Sequence, residues 1–184
     1  MKKLHVNSLE NIDSLVHPDD FSESMMTSPA LDLLSDFKFT QPAVIEAKTN
    51  AARAIEIMRH EHEHLKLVID DNEEMIGLIH FELLSDQVLI KKIAAGEDRH
   101  EIKVRDLMTP RQKLKSFDFD QLRSATVGDV IHALQSSGEA HCLVVDKKSH
   151  QIRGVFSADD ISRRLHTQLT IHKTPTVLNI FDVA

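Results

Sequence analysis

Aromatic residues are scarce in this sequence of 184 residues, which contains eight Phe and no Trp or Tyr. Acidic residues outnumber basic ones, with 29 Asp and Glu against 22 Lys and Arg, for a net charge of −7. Nucleic-acid binding proteins need basic surface for phosphates and aromatic faces for bases. The composition therefore argues against nucleic-acid binding.

Cysteine and long apolar runs are also lacking. The single cysteine, Cys142, excludes an intramolecular disulfide and a cysteine-based zinc site. We expect it to be a small core residue, because free cysteines are among the most buried residue types. No run approaches the roughly 18 consecutive apolar residues of a membrane span, and polar residues interrupt the first stretch where a signal peptide would lie. These absences predict a cytoplasmic protein without membrane contact.

Glycine and proline number only five each, while 41% of the residues are hydrophobic and 28% are charged. This composition is typical of an ordinary globular chain and not of a disordered or fibrous one. The length predicts one domain or two small repeats.

An internal repeat is the strongest pattern in the sequence. Residues 50–58 align with 126–134, and residues 67–70 align with 143–146 at the same offset. Residues 76–79 align with 153–156 at an offset one residue longer, which places an insertion in the intervening turn of the second copy.

Both copies predict the same order of elements. Apolar residues recur at i, i+3, i+4 and i+7, the stripe of an amphipathic helix, at Ala51, Ala54, Ile55 and Met58 and again at Val127, Val130, Ile131 and Leu134. Two short branched apolar runs then flank a polar turn in each copy, which predicts a hairpin. A final helix is predicted over 82–92 and 159–168. Each unit is therefore strand, helix, strand, strand, helix.

The predicted division of the chain follows from this repeat. We assign residues 1–27 to an N-terminal extension, 28–93 to the first repeat, 94–103 to a linker and 104–169 to the second repeat. The tail, 170–184, contains an apolar patch at 177–181 that we expect to dock on a repeat or on a second subunit.

Two segments, Gly154–Ile161 and Val104–Arg111, resemble the cystathionine-β-synthase (CBS) domain in a tandem pair. The resemblance implies an α+β fold of two β-α-β-β-α repeats packed about an approximate two-fold axis. It also implies an adenosine-containing ligand (AMP, ADP, ATP or S-adenosylmethionine) in the cleft between the repeats, and a regulatory role toward an attached or separate partner. No cofactor is required.

The second repeat carries groups suited to such a ligand. A glycine lets backbone approach a ligand, and a helix N-terminus favours phosphate. Ser157 can bind phosphate or sugar, Asp160 both ribose hydroxyls, Arg163 can balance phosphate charge, and His141 can contact a purine. The predicted ligand-binding residues are Phe156, Ser157, Ala158, Asp160, Arg163 and His141. The alternatives are that Ser157 only caps a helix and that His141 only lies at a strand edge.

The first repeat departs from this pattern. His80 stands where the second copy has Ser157, and Leu83 stands where it has Asp160. Because leucine cannot hold ribose hydroxyls, we predict at most one well-formed nucleotide site per chain, centred on the second repeat.

The remaining functional alternatives start from the run His60–His64, whose alternating imidazoles and carboxylates could bind zinc, nickel or copper if the segment is extended. The run is otherwise a solvated loop.

No Ser/His/Asp spacing, phosphate-cradling loop or paired-carboxylate motif supports catalysis, so we expect no enzyme. The leading hypothesis is a stand-alone, homodimeric adenosine-ligand sensor with an unidentified protein partner. The alternatives are a ligand-free scaffold or dimerisation module and a metal-responsive protein.

Overall fold

The computed structural model describes residues 23–96 and 98–171. Most of the predicted N-terminal extension, and the tail from residue 172 with its apolar patch, lie outside the described residues. Among those that are described, no helix combines the length and the apolar character needed to cross a membrane.

The described chain contains two series of helices and strands. The α-helices are α1 Glu23–Met26, α2 Ala51–His60, α3 Asp86–Ala94, α4 Val104–Leu107, α5 Phe119–Leu122, α6 Val127–Ser137 and α7 Ala158–Arg164. Short 3-10 helices occupy Ala30–Leu33, Phe81–Leu84 and Arg111–Lys113. The strands are β1 Ser35–Asp36, β2 Val44–Glu46, β3 Leu65–Ile69, β4 Met75–His80, β5 Thr109–Pro110, β6 Ser116–Asp118, β7 His141–Asp146 and β8 Gln151–Ser157.

The strands form two four-stranded sheets of the same design, in the orders β2-β3-β4-β5 and β1-β8-β7-β6. In the first sheet β2 runs parallel to β3, and β3 and β4 form an antiparallel hairpin. In the second, β6 runs parallel to β7, and β7 and β8 form the hairpin. The predicted α+β fold of two related repeats is confirmed.

A short strand near the start of each predicted repeat completes the sheet of the other repeat. Strand β1 pairs with β8 of the second repeat, and β5 pairs with β4 of the first. The 3-10 helix Ala30–Leu33 likewise packs on α6, and the amide of Ala30 donates to the carbonyl of Ala125, which precedes that helix. The predicted boundaries divide the chain into consecutive segments and therefore do not describe this exchange of strands between the repeats.

Two glycines at equivalent positions make room for the crossing strands. A Cβ atom on Gly154 would lie 2.5 Å from the carbonyl oxygen of Ser35, and one on Gly77 would lie 2.7 Å from that of Thr109. Real Cβ atoms do not approach backbone so closely. The glycine of the second repeat is predicted to let backbone approach a ligand, but crossing strands lie against both glycines instead.

Each repeat has its own core, and a third cluster joins the two. The predicted stripe of α6 is buried throughout, whereas in α2 Ile55 is only partly buried. Between the sheets, Leu67 and Leu78 of one hairpin pack with Leu143 and Val155 of the other. The hairpins of the two repeats therefore share one apolar interface.

The last helix differs between the repeats. In the first, the predicted helix 82–92 is a 3-10 turn, Phe81–Leu84, followed by α3, because Ser85 has an extended backbone (φ −63°, ψ 152°). In the second, α7 ends at Arg164, and His166 nearby has a positive φ of 49°. The predicted end at Gln168 is therefore too late.

Candidate ligand site between the repeats

A cavity of about 440 Å³ opens between the repeats, a volume within the range of small-molecule sites. Its apolar lining includes Leu65 and Leu67 from β3 and Val155 from β8. The segment between β1 and β2, residues 40–43, forms one wall, and α7 contributes Asp160, Arg163 and Arg164.

Asp160 is positioned by the first turn of α7. Its side chain is 30% exposed and forms an ion pair with Arg163, one turn further along the helix. Arg163 is 64% exposed. The structure therefore brings these two predicted residues together at the cavity, with the carboxylate already engaged by a guanidinium group.

Two further charged side chains line the cavity. Arg164, beside Arg163, donates from Nη1 to the carbonyl oxygen of Asp32 at 3.3 Å. Glu63 comes from the other repeat, and its amide donates to the carbonyl of Met58 at the end of α2. The charges of the two arginines and the two carboxylates balance, so the cavity carries formal charges of both signs without a net excess.

Three other predicted ligand residues are buried. Phe156 is 0% exposed and packs edge-on against Phe117, with ring centroids 6.0 Å apart. Ser157 and Ala158 are each 4% exposed. Their side chains face the protein interior, and a role for them in ligand contact stays a prediction.

The N-terminus of α7 also differs from both predictions made for it, a phosphate-binding helix end and a serine-capped one. The hydroxyl of Ser157 makes no capping hydrogen bond, so the alternative interpretation of Ser157 as a side-chain cap is wrong. The amide of Ala158 donates to the carbonyl of Ala140 at 2.9 Å. At least one amide of this helix end is therefore already satisfied within the protein.

His141 lies between the repeats and contacts His80. The two imidazole rings have centroids 5.1 Å apart and are tilted by 33°. His141 pairs with Ser157 in the β7–β8 ladder, which places it one strand away from the start of α7. Contact of His141 with a purine stays a prediction.

The corresponding positions of the first repeat are built differently. Leu83 lies in the 3-10 turn and packs partly buried against the core of the first repeat. His80 precedes this turn, and its Nδ1 lies 3.9 Å from a carboxylate oxygen of Glu82. The carboxylate that the second repeat supplies from Asp160 has no counterpart at Leu83.

The histidine run is not an extended segment. Helix α2 ends at His60, and His62 takes a left-handed backbone conformation with φ 56°. The carboxylate of Glu61 instead binds Nζ of the buried Lys66, at 2.5 Å. Among the described residues, no three His, Cys, Asp or Glu side chains are grouped so that they could hold a metal ion.

Cys142 is buried in the core of the second repeat, as predicted. Burial, and to a lesser extent the charge of Glu139, raises the pKa of its thiol to about 12. A thiol with this pKa stays protonated at neutral pH and is not a nucleophile.

Sequence reasoning missed the contribution of the first repeat to the cavity. Glu63, Leu65 and the wall 40–43 belong to the same cavity as Asp160, yet they lie about a hundred residues away in the chain. Glu63 belongs to the run His60–His64, whose alternating pattern predicts metal binding and not contact with Asp160. No spacing signal connects these residues to Asp160, because they meet only through the packing of one repeat on the other.

Comparisons with known proteins agree with this architecture. A family model described as "CBS domain" matches residues 34–85. A hemolysin-like protein containing a CBS domain from Oenococcus oeni is similar in structure, with a TM-score of 0.55, 16% identity and coverage of 80% of this chain and 98% of that chain. No curated protein matches the sequence.

Two further similar structures are described with their ligands. CBSX2, a CBS-pair protein from Arabidopsis thaliana, is in complex with AMP; its TM-score is 0.51 at 20% identity, over 74% of this chain and 94% of that chain. The CBS domain pair of protein MJ0100 is in complex with 5′-methylthioadenosine and S-adenosyl-L-methionine; its TM-score is 0.51 at 17% identity, over the same shares of the two chains. These likenesses show the fold.

Proposed function

We propose that this chain is a tandem CBS-domain protein, with the matched domain at residues 34–85 and a second repeat of the same architecture, and that it is a regulatory protein that binds an adenosine-containing ligand between its repeats. The ligand site is the cavity that Asp160 lines. The protein acts on a partner and not as an enzyme, it works as a homodimer, and it resides in the cytoplasm.

The observation that carries the proposal is the position of Asp160. Its carboxylate lies at a cavity of about 440 Å³ whose other walls come from the first repeat. Two carboxylate oxygens suit the two hydroxyls of a ribose, as in dinucleotide-binding folds. Arg163 and Arg164 on the same helix suit a phosphate group.

The ligand competes with an ion pair that exists in the free protein. The carboxylate of Asp160 binds Arg163, so ribose binding requires this pair to rearrange. Exposed pairs of this kind contribute roughly 0–1 kcal/mol, which a bound ligand can offset. In the complex Arg163 turns to the phosphate while Asp160 holds the sugar.

The apolar lining suits the base. Leu65, Leu67 and Val155 present aliphatic surface to the cavity, and Phe37 adds an aromatic ring. A purine buried here removes apolar surface from water, which is favourable. The same fold in CBSX2 and in the MJ0100 pair holds AMP or S-adenosylmethionine, which supports an adenosine compound here.

The regulatory role follows because residues of both repeats line the cavity. Glu63 and Leu65 belong to the first repeat, whereas Asp160 belongs to the second. A ligand that contacts both stabilises the arrangement of the repeats that fits it best, and so shifts the population of conformations that a partner meets.

The test is isothermal titration of the full chain with AMP, ADP, ATP and S-adenosylmethionine. Asp160→Asn removes the charge while keeping the shape, and Asp159→Asn is the matched control, since Asp159 is the exposed preceding residue and does not line the cavity. Hydrogen bonds to a charged group contribute about 1.5–3 kcal/mol, so we expect D160N to weaken binding roughly 10- to 100-fold and D159N to leave it unchanged. We expect a stoichiometry of one ligand per chain.

Two results would contradict the proposal. Equal affinity of D160N and the unaltered protein would remove Asp160 from the site. Absence of heat with every ligand of the panel would favour the ligand-free scaffold.

A further inference from the structure

A second cavity, of about 600 Å³, opens at the end of β8 that is remote from α7. Its lining includes the basic residues Lys38, Arg111, His150 and Arg153 and no carboxylate side chain. This concentration of basic groups lies on a chain whose net charge is −7. The cavity therefore differs in charge from the balanced cavity at Asp160.

The exchange of strands between the repeats assembles this basic cavity. Lys38 follows β1, and Arg111 follows β5, so each crossing strand delivers one of them. His150 and Arg153 come from the β7–β8 hairpin. Residues from three distant parts of the sequence thus converge on one concave surface.

Arg153 is held in place by its neighbours. Its Nε and Nη2 donate to the two carboxylate oxygens of Asp36 at 2.6 and 2.8 Å, and its guanidinium carbon lies 4.5 Å from the ring centroid of Phe119. Asp36 balances the charge of Arg153, so the excess positive charge comes from Lys38 and Arg111. Arg111 is ordered by a hydrogen bond from Nη1 to the carbonyl of Met75 at 3.2 Å.

The basic character is not a consequence of the fold itself. His150 and Glu73 occupy the same position of the two hairpin turns and share a positive φ, 55° and 62°. Gln151 follows the first of them and Glu74 the second. The hairpin turn of the first repeat is therefore acidic, whereas that of the second adds only neutral and basic groups to the cavity.

We propose that this cavity binds a phosphate-rich anion of the polyphosphate class, at a site separate from the adenosine cavity. Arginine presents paired N–H donors that match phosphate oxygens, and lysine adds a mobile point charge. The wall between the two cavities includes Phe37, which lines both. The proposal stands whether or not an adenosine ligand binds beside it.

The experiment uses inorganic triphosphate as the probe on the full chain, with titration calorimetry and backbone amide shifts in NMR. The variant Lys38→Gln/Arg111→Gln removes two exposed cations, and Arg53→Gln/Lys91→Gln is the control with the same charge change on exposed positions of α2 and α3. We expect K38Q/R111Q to weaken triphosphate binding at least about tenfold and R53Q/K91Q to leave it within about twofold. Amides of residues 150–153 should shift more than those of 160–164.

Three outcomes overturn the proposal: no binding of triphosphate by the unaltered protein, equal losses in the two double variants, or amide shifts confined to 160–164. Titration of Asp160→Asn separates this proposal from the preceding one. The separate site requires triphosphate affinity to persist in D160N, whereas the adenosine site requires AMP affinity to fall. An affinity for triphosphate that D160N abolishes would place the anion in the adenosine cavity and overturn the separate site.

Discussion

The two repeats keep the same packing and differ in their polar groups. Both begin with a crossing strand set against a glycine, Gly77 in one repeat and Gly154 in the other. Yet the first repeat has Leu83 where the second has Asp160, and Lys66 where the second has Cys142. A duplicated fold therefore preserves the contacts that its backbone requires, whereas side chains at equivalent positions diverge even where they are buried.

The crossing strands show the same contrast. Asp36 of β1 forms a two-pronged ion pair with Arg153, whereas the corresponding crossing strand, β5, ends in Pro110 beside Gly77. Proline cannot accept through its side chain, so the first repeat lacks this pair. The comparison leads to four predictions, given in order of decreasing effect.

Truncating the aromatic side chain at the centre of the second repeat's core should give the largest loss of folding stability of the four. Phe156 is 0% exposed, and Ile79 is its equivalent in the first repeat, also 0% exposed. We expect Phe156→Ala to lower the free energy of unfolding by about 3–5 kcal/mol, because it leaves a cavity. Ile79→Ala removes fewer atoms and should cost less. Urea denaturation measures both, and a loss below about 1 kcal/mol for F156A would contradict the burial of this ring.

Adding a methyl group where β1 crosses β8 should give the second-largest loss of folding stability. In Gly154→Ala the new Cβ meets backbone of Ser35, and we expect a loss of about 1–3 kcal/mol from overpacking. Gly128→Ala is the comparison with a milder contact, since its Cβ would lie 3.2 Å from the carbonyl oxygen of Met26 and alanine favours helix, so it should cost less than G154A. Thermal unfolding of both variants tests the comparison, and an undiminished stability of G154A would mean that β1 does not cross here.

Loss of the ion pair between Asp36 and Arg153 should lower the folding stability by a smaller amount, and this loss should depend on pH. The hydrogen bonds from Arg153 hold the pKa of Asp36 below its ordinary value of 3.8. A carboxylate with a lowered pKa stabilises the fold above its unfolded-state pKa, and that stabilisation is lost as pH falls through the folded-state pKa. Asp36→Asn should therefore cost about 1–2 kcal/mol near neutral pH, since the pair is only partly exposed.

The control for this prediction is the pair Lys48–Asp71, which spans 2.8 Å between side chains that are 55% and 77% exposed. Lys48→Gln should leave the melting temperature unchanged. The stability difference between D36N and the unaltered protein should narrow below about pH 4. A difference that stays constant down to about pH 2 would show that the pair does not account for it.

The fourth prediction, with the smallest expected effect, concerns the chemical reactivity of the Cys142 thiol. Because burial raises the pKa of its thiol to about 12, we expect a thiol reagent to label the native protein negligibly at mildly alkaline pH and the unfolded protein completely. Absorbance of the released chromophore follows the reaction. Fast labelling of the native chain would show that the second core opens readily.

Much of the fold was predictable because it rests on local patterns. The stripe of α6 is buried as its spacing indicates, and the turn residues separate the strands of both hairpins as predicted. The break at Ser85 was not predictable from apolar spacing, since the extended backbone of that residue interrupts an otherwise continuous helical pattern.

The candidate site was predictable only in part. Asp160 and Arg163 lie close together on one helix turn, and the structure places both at the cavity. The burial of Phe156 and the contact between His80 and His141 depend on how sheets and repeats pack. No spacing within one segment contains that information.

The amino-acid sequence by itself determined the duplicated order of helices and strands, because apolar periodicity and turn residues act over a few neighbouring positions. Only the tertiary structure decided that β1 and β5 complete each other's sheets, that two glycines admit them, and that Glu63 and Asp160 share one cavity. These features join residues far apart in the chain, and their energy comes from packing and hydrogen bonds that exist only after the repeats meet.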